Sequence, residues 1–443
     1  MQIGGTIRRL LSEYGMLGVL LGICVVLSLL TQAEQRPTGA GAAGRVVGVL
    51  PAGGGTGRRL LVVVRDQPDD VAFAEAVAQK APARGWTVAG VVRGEPRDAR
   101  RALLELTASG VGVEIIVCDP VAATWQVFSG MGQDFPLLAR TRVVSPRSYR
   151  WPNFLKQENL LNVANQIAVI AIVAIGMTLV ILTGGVDLSV GSLIALAAVL
   201  TALFIRDAAG GVQATAAGLT LACAVAVGAC GMAGLLTGTL VTYAGIPPFI
   251  VTLAMMLVAS GLAYILAGGE SIYQVPDSFV WLGRGADLPG MPNAVVLTAL
   301  LYGATHVLTT RTRLGRAIYA VGANSDAARL SGLPVHRIRL FVYAASGGLA
   351  GLGGVVLASQ LKSGSPTYGQ MYELYVIAAV VVGGASLSGG RGTLAGTLIG
   401  ALTIAVIQNG MNLLGIESFT QKVVLGLVIL GAVMVDRVRS RGE

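Results

Sequence analysis

This chain is short of charge. Of its 443 residues 12% are Asp, Glu, Lys or Arg and 54% are hydrophobic, whereas soluble domains carry about 25% charged residues. Residues 208–269 contain no charged side chain over 62 positions. Water cannot solvate such a stretch, and a bilayer needs about 20 apolar residues per spanning helix, so it has room for two helices and a turn. Cysteine and histidine are equally scarce, with four and two copies. Cys24, Cys223 and Cys230 sit in apolar runs, where Cys acts as a small hydrophobe. Cys118 is alone in the polar part of the chain, which excludes an internal disulfide there. Without a CxxC or Cys/His cluster a zinc site is not expected. His306 and His336 are isolated and no nucleophile–base pairing is visible, so catalytic residues are not expected either.

Net charge is +9 and the isoelectric point about 9.6. Nucleic-acid binding is discounted, because the excess flanks apolar runs as the positive-inside rule describes. Spans are expected near 163–182, 189–206, 214–232, 248–267, 292–309, 340–360, 373–389, 394–412 and 420–435. Uncharged residues 14–31, behind Arg8 and Arg9, add a first helix, read as uncleaved rather than as a signal peptide because 31–33 lacks a small-x-small exit. With the N-terminus cytoplasmic, ten helices place twelve Arg in short inner segments and four Lys/Arg in short outer loops, which supports the threading.

Between the first two helices the composition changes. A Gly/Ala/Pro stretch at 37–57 reads as a flexible linker. Strand-like runs at 60–64, 86–92 and 113–118 then alternate with helical patterns at 71–83 and 97–109, the order of a parallel three-layer α/β unit. The expected organisation is residues 1–35 as a cytoplasmic segment plus first helix, 36–150 as a periplasmic α/β insert, and 151–443 as an all-α polytopic membrane domain. Gly53–Gly57 superficially resembles a phosphate loop but lacks its Lys-Ser/Thr ending and precedes a strand.

Gly184-Gly185-Val186-Asp187-Leu188-Ser189-Val190-Gly191 breaks an apolar stretch. Asp187 is the only charge between Glu158 and Arg206, and a carboxylate near hydrocarbon costs at least about 2.5 kcal/mol. Two readings stand: a turn in which Asp187, beside Ser189, caps the next helix, or a solute contact in a broken helix. Gly245-Ile246-Pro247-Pro248 is a second break, read as structural punctuation, with gating as the alternative. Small residues at Gly392, Gly396 and Gly400, and at Gly347 and Gly351, fit close helix packing. Residues 311–339 form the longest inner loop, with six Arg and a helix expected near 325–330, stopped by Gly332 and Pro334. Composition leaves open whether this loop is a handle for a partner or only fixes orientation.

These residues together resemble the ribose/xylose/galactose-type permeases of ATP-driven (ABC) importers. The likeness rests on 176–192, 245–252, 314–334, 383–400 and 408–412, which fall in order between Asn153 and Arg439. It implies a non-enzymatic transport subunit of the inner membrane, without a cofactor of its own. Its partners would be a second permease copy, a periplasmic sugar-binding protein, and a separate ATPase carrying ATP and Mg, with no nucleic acid. Asn324, Asp326, Ala327, Ala328, Arg329, Gly332 and Pro334 resemble the family's ATPase-coupling segment, with Asp where many importers have Glu. Asp187, Ser189, Gln408, Asn409 and Asn412 are candidates for the translocation path. The insert departs from the family pattern and resembles one lobe of a sugar-binding protein. The rivals are an ion- or proton-coupled carrier using Asp187 and a receptor with the insert as sensor.

Overall fold

The computed structural model describes residues 3–51, 58–288 and 290–441. The chain divides into two compact units, Met1–Thr31 with Asn153–Glu443, and Gln32–Pro152. In chain order the first helix is α1 (Ile3–Leu30).

The second unit contains β1 (Gln32–Gln35), α2 (Gly39–Val49), β2 (Arg59–Val64), α3 (Pro68–Lys80), β3 (Thr87–Arg93), α4 (Pro96–Ala108), β4 (Ile115–Cys118), β5 (Arg142–Val144) and β6 (Tyr149–Pro152). β2 to β5 make a parallel sheet in the order β3-β2-β4-β5, and β1 pairs antiparallel with β6. β2 and β4 read as continuous apolar runs because both faces of a central parallel strand are covered. Leu60, Val62 and Val64 face one layer with Phe73 and Val77, while Leu61 and Val63 face the other with Ala99 and Leu103. Most of the stretch read as a linker is instead α2. Its Ala42, Ala43, Val46 and Val47 repeat at helical spacing and are buried, and small side chains on such a face pack as well as large ones where helices come close. The loop-like Gly53–Gly57 lies outside the described residues.

The first unit continues with α5 (Gln157–Leu182), α6 (Val190–Asp207), α7 (Ala216–Thr242), α8 (Pro248–Ala267), α9 (Asn293–Arg311), α10 (Arg313–Ala323), α11 (Ser325–Leu330), α12 (Val335–Leu361), α13 (Tyr372–Val382), α14 (Leu394–Leu413) and α15 (Ser418–Arg441). Seven of these, α5 to α9, α12 and α14, are long and apolar enough to cross a bilayer, and Gly15–Leu30, Tyr372–Val382 and Ser418–Gly431 are shorter apolar helices. α5 is the central post, with every residue from Ile167 to Leu182 buried. Threonines start several helices: Thr215, Thr312 and Thr393 each accept a hydrogen bond from the backbone N–H three residues on, filling donors that a helix start leaves open.

The expected span at 373–389 is helical only as far as Val382. Gly383, Gly384, Gly389, Gly390 and Gly392 follow, four of them with positive φ, and the chain turns there. α13 is thus about 16 Å long at 1.5 Å per residue, roughly half of a hydrocarbon core.

Candidate functional site: two interrupted helices and a short exposed helix

Two helices of the first unit are followed by non-helical chain that folds back along its neighbours. After α5 the chain runs without helix through Thr183–Ser189 before α6 starts. After α12 it does the same through 362–371 before α13 starts. The second segment follows α6: a methyl added at Gly364 would stand 2.5 Å from Ala198 O, and one at Gly191 would stand 2.6 Å from Gly369 O. The N-terminal ends of α6 and α13 therefore meet. Lys362 (φ 54°) and Met371 (φ 68°), the two non-glycine residues with positive φ among those described, bracket the second segment. Each such conformation costs about 1–2 kcal/mol. Strain of this kind persists where the surroundings impose it, commonly at functional sites.

A cavity of about 310 Å³ lies at the meeting point, lined by Gly191, Ser192, Ser260, Tyr368, Gln370 and Glu373, with Met256 on its apolar side. Glu373 is in the first turn of α13, where a carboxylate faces the positive end of the helix dipole. Near the N-terminal end of α5 a second cavity of about 510 Å³ is lined by Asn162, Asn165, Gln166, Arg284 and Gln360. Asn165 donates to Gly283 O (3.2 Å) and accepts from Gln360 Nε2 on its own carbonyl (2.9 Å).

Asp187 is 1% exposed. Its Oδ1 accepts from the Ser189 N–H (3.0 Å) and Ser189 Oγ (2.6 Å), and its Oδ2 accepts from Ser346 Oγ on α12 (2.8 Å). It does not cap α6: the residue before that helix is Ser189, and Asp187 accepts only from Ser189 and Ser346, not from an N–H inside the helix. Instead it closes a tight turn and fastens the first break to a helix 159 residues away in sequence. The Tyr343 hydroxyl, one turn before Ser346, is buried with no partner among the described residues.

The other path candidates lie apart. Asn409 exchanges two amide hydrogen bonds with Asn159 (3.0 and 2.8 Å), tying α14 to the first turn of α5. Asn412 is exposed and accepts from Gln421 (2.8 Å). Gln408, directly before Asn409, is half-buried. Neither Asp187, Ser189 nor these three line the 310 Å³ cavity. Glu373 was legible by the argument applied to Asp187, since it is the only charge between Lys362 and Arg391. The Asn162, Asn165 and Gln166 stripe was equally open to reading, as polar amides at helical spacing in an apolar span.

The residues likened to a coupling segment form one compact device. Asn324 Oδ1 accepts from the N–H groups of Asp326 (3.0 Å) and Ala327 (2.9 Å) and starts α11. Gly332, at φ +80°, ends it. The Leu333 N–H donates to Ala328 O and the Gly332 N–H to Arg329 O, both 3.0 Å, a Schellman arrangement. Asp326 and Arg329 pair on the exposed face (3.2 Å). Ala328 is the one buried residue of α11, packed in a cluster with Leu182, Ile318, Val321 and Val335. Leu330 is 90% exposed, and Pro334 starts α12. Directly before α11, a methyl at Gly322 would overlap Leu182 O and stand 2.6 Å from Gly390 N. Gly390 N–H donates to Leu182 O (3.0 Å), and Tyr319 Oη donates to Gly392 O (2.8 Å). The end of α10, the end of α5 and the Gly-rich turn thus meet next to the first break.

The glycines assigned to packing do approach backbone closely, but in two ways. Methyls at Gly396 and Gly400 would overlap the carbonyls of Gly383 and Ala379, so α14 crosses the end of α13 at backbone contact. Gly392 precedes the helix, at φ +146° and against Ala385.

A family model described as "Branched-chain amino acid transport system / permease component" matches residues 159–434. The ribose import permease RbsC of Escherichia coli K12 is 43% identical over 304 residues, 68% of this chain and 91% of the relative. RbsC of Bacillus subtilis is 44% identical over 291 residues, 65% and 88%, and the L-arabinose permease AraH of E. coli is 37% identical over 292 residues, 66% and 86%. No solved structure matches this chain.

Proposed function

The chain belongs to the permease family of the branched-chain amino acid transport type, and from that membership we propose that it forms the translocation path for a neutral monosaccharide in an ATP-driven importer. Family members are permease subunits and not enzymes; ATP is hydrolysed on a separate subunit. The observation that carries the sugar reading is the 310 Å³ cavity between the two interrupted helices. It offers hydroxyls, an amide and a single carboxylate, which suits a solute with many hydroxyls and no charge. Interrupted helices are tolerated in a membrane where they line a cavity, and their N-terminal ends supply donors there.

In this reading all ten apolar helices cross the inner membrane. α13 completes its crossing with the non-helical 362–371 chain. The N-terminus and the basic segments face the cytoplasm, the Gln32–Pro152 unit is periplasmic, and two copies of the chain form the pore. α11 docks in the ATPase, with exposed Leu330 as anchor and the Asp326–Arg329 pair as polar rim. Motion of α11 reaches Leu182 through the end of α10, and from there the Asp187–Ser346 link. Gln408 and Asn412 retain a place near the path mouth, while Asn409 serves helix packing.

The test is ATP-dependent uptake of labelled D-ribose into proteoliposomes holding the chain, its ATPase and its binding protein, with a pull-down of the ATPase in parallel. Deleting 324–333, or the milder Leu330→Asp, should abolish uptake and release the ATPase. Undiminished association after the deletion would defeat the docking assignment. Full uptake without ATP would favour a carrier instead.

A further inference from the structure

In the Gln32–Pro152 unit the sheet order β3-β2-β4-β5 reverses direction at β2: the chain steps to β3 on one side and then to β4 on the other. In open parallel sheets, ligands bind outside the carboxyl ends of the two strands flanking such a reversal. The residue after β2 is Arg65 and the residue after β4 is Asp119. Asp119 is fully buried and saturated by the N–H groups of Arg65 (3.1 Å), Val121 (2.8 Å) and Ala122 (3.1 Å). Arg65 also pairs with Asp70 in the first turn of α3, Nη2 to Oδ2 at 2.9 Å.

Asp70 is 1% exposed, yet its Oδ1 has no hydrogen-bond partner among the described residues. Buried polar atoms almost always have one, and a carboxylate left short is costly. Asp70 lines a cavity of about 320 Å³ with Thr38, Arg65, Gln67, Pro68 and Asp69, within the size range of small-molecule sites. We infer that this cavity is a second solute site, and that it binds a neutral polyhydroxylated molecule of monosaccharide size. The donor set decides the class. A guanidinium among the carboxylates repels a metal ion, and Asp69 and Asp70 repel an anion. Carboxylate acceptors beside guanidinium and amide donors match vicinal hydroxyls, which both donate and accept. Burial and the charge of Asp119 raise the Asp70 carboxyl above the ordinary range, as a group awaiting a donor would be.

The inference rests on the monosaccharide reading above but concerns a different cavity. The test is calorimetric titration of D-ribose, D-allose and L-arabinose into the full chain in lipid nanodiscs, without ATPase or binding protein. At least one sugar should bind saturably. Asp70→Asn and Arg65→Gln should each weaken it about tenfold or more, the size expected for one lost charge-assisted hydrogen bond. Thr38→Val and Gln67→Ala, which alter the rim and no buried pair, should weaken it a few-fold. Gly348→Ala, which lines neither cavity, should leave it unchanged, and the binding that Asp70→Asn removes should persist in Glu373→Gln. No binding by the unaltered chain, or undiminished binding in Asp70→Asn and Gln67→Ala, overturns the inference. So does loss of binding in Glu373→Gln alone, which would put the sugar in the membrane cavity and leave the importer reading standing. Failure of that reading shows separately, as absent ATP-driven uptake by the complete system.

Discussion

Asp187 and Asp70 are equally buried, and their neighbours give them different tasks. Asp187 has three donors on two oxygens and acts as a structural clasp. Asp70 has one cation beside it and an oxygen with no partner among the described residues. The sequence announced Asp187 as a lone charge, but Ser346 lies 159 positions away, and no local pattern couples the two. Asp70 is hidden differently: Asp69 and Asp70 together look like ordinary charges at a helix start. A stability prediction follows for Asp70. Its folded carboxyl is raised, first by burial and then by Asp119, with Arg65 acting against both. The folded unit therefore holds this proton more tightly than the unfolded chain does. Its contribution to stability is fullest below the ordinary carboxylate range and declines as pH rises through the raised value. Asn cannot titrate. Melting of Asp70→Asn in nanodiscs should match or exceed that of the unaltered chain at pH 8, and the gap should shrink towards pH 4. A variant that melts lower at pH 8 would make Asp70 a stabilising pair with Arg65 rather than a site held ready for ligand.

Among elements, the most extensive helix contact in the first unit joins α7 and α12. A methyl at Gly347 would overlap the Cys230 carbonyl and stand 3.0 Å from Gly234 Cα, while one at the adjacent Gly348 would meet nothing within 4 Å. Lipid gives helices no hydrophobic reason to associate, so van der Waals contact between backbones carries this seam. Gly347→Val should lower stability by about 1–3 kcal/mol through overpacking, read as a drop of several degrees in a detergent melt. Gly348→Ala should leave the melt unchanged, and equal effects at the two positions would remove the seam as the explanation. Gly347 and Gly351 were legible as small residues four apart. Their partners Gly234 and Cys230 were not, because α7 is apolar on all sides and shows no face. The shortness of α13 is hidden for a similar reason: 374–389 carries no charge, and only the run of glycines from Gly383 records that the helix stops.

For the whole molecule, the strand and helix pattern between residues 59 and 118 was plain in the sequence, since period and charge both change there. The way that unit leaves and rejoins the membrane part was not, because it depends on pairing across more than a hundred residues. Gln32–Gln35 lies antiparallel to Tyr149–Pro152 in the register Gln32↔Pro152 to Gln35↔Tyr149. Just beyond, the Asn153 N–H donates to Thr31 O (2.9 Å) and the Phe154 N–H to Thr31 Oγ (3.2 Å). The exit and return points are therefore held side by side by residues of the membrane unit itself, the geometry in which whole domains are inserted or removed without unfolding the host. Replacing 36–148 by a two-residue Asn-Gly turn would keep the β1–β6 ribbon and close it as a hairpin. The shortened chain should enter the membrane, purify as a single species in detergent, and melt within a few degrees of the full chain. If α11 docks the ATPase as proposed, the shortened chain should also keep it, because α11 belongs to the unit that remains. Sugar binding without partners should vanish if the cavity beside Asp70 is its seat. Aggregation of the shortened chain, with the ribbon intact, would mean that the inserted unit stabilises its host and was not simply added to a finished permease.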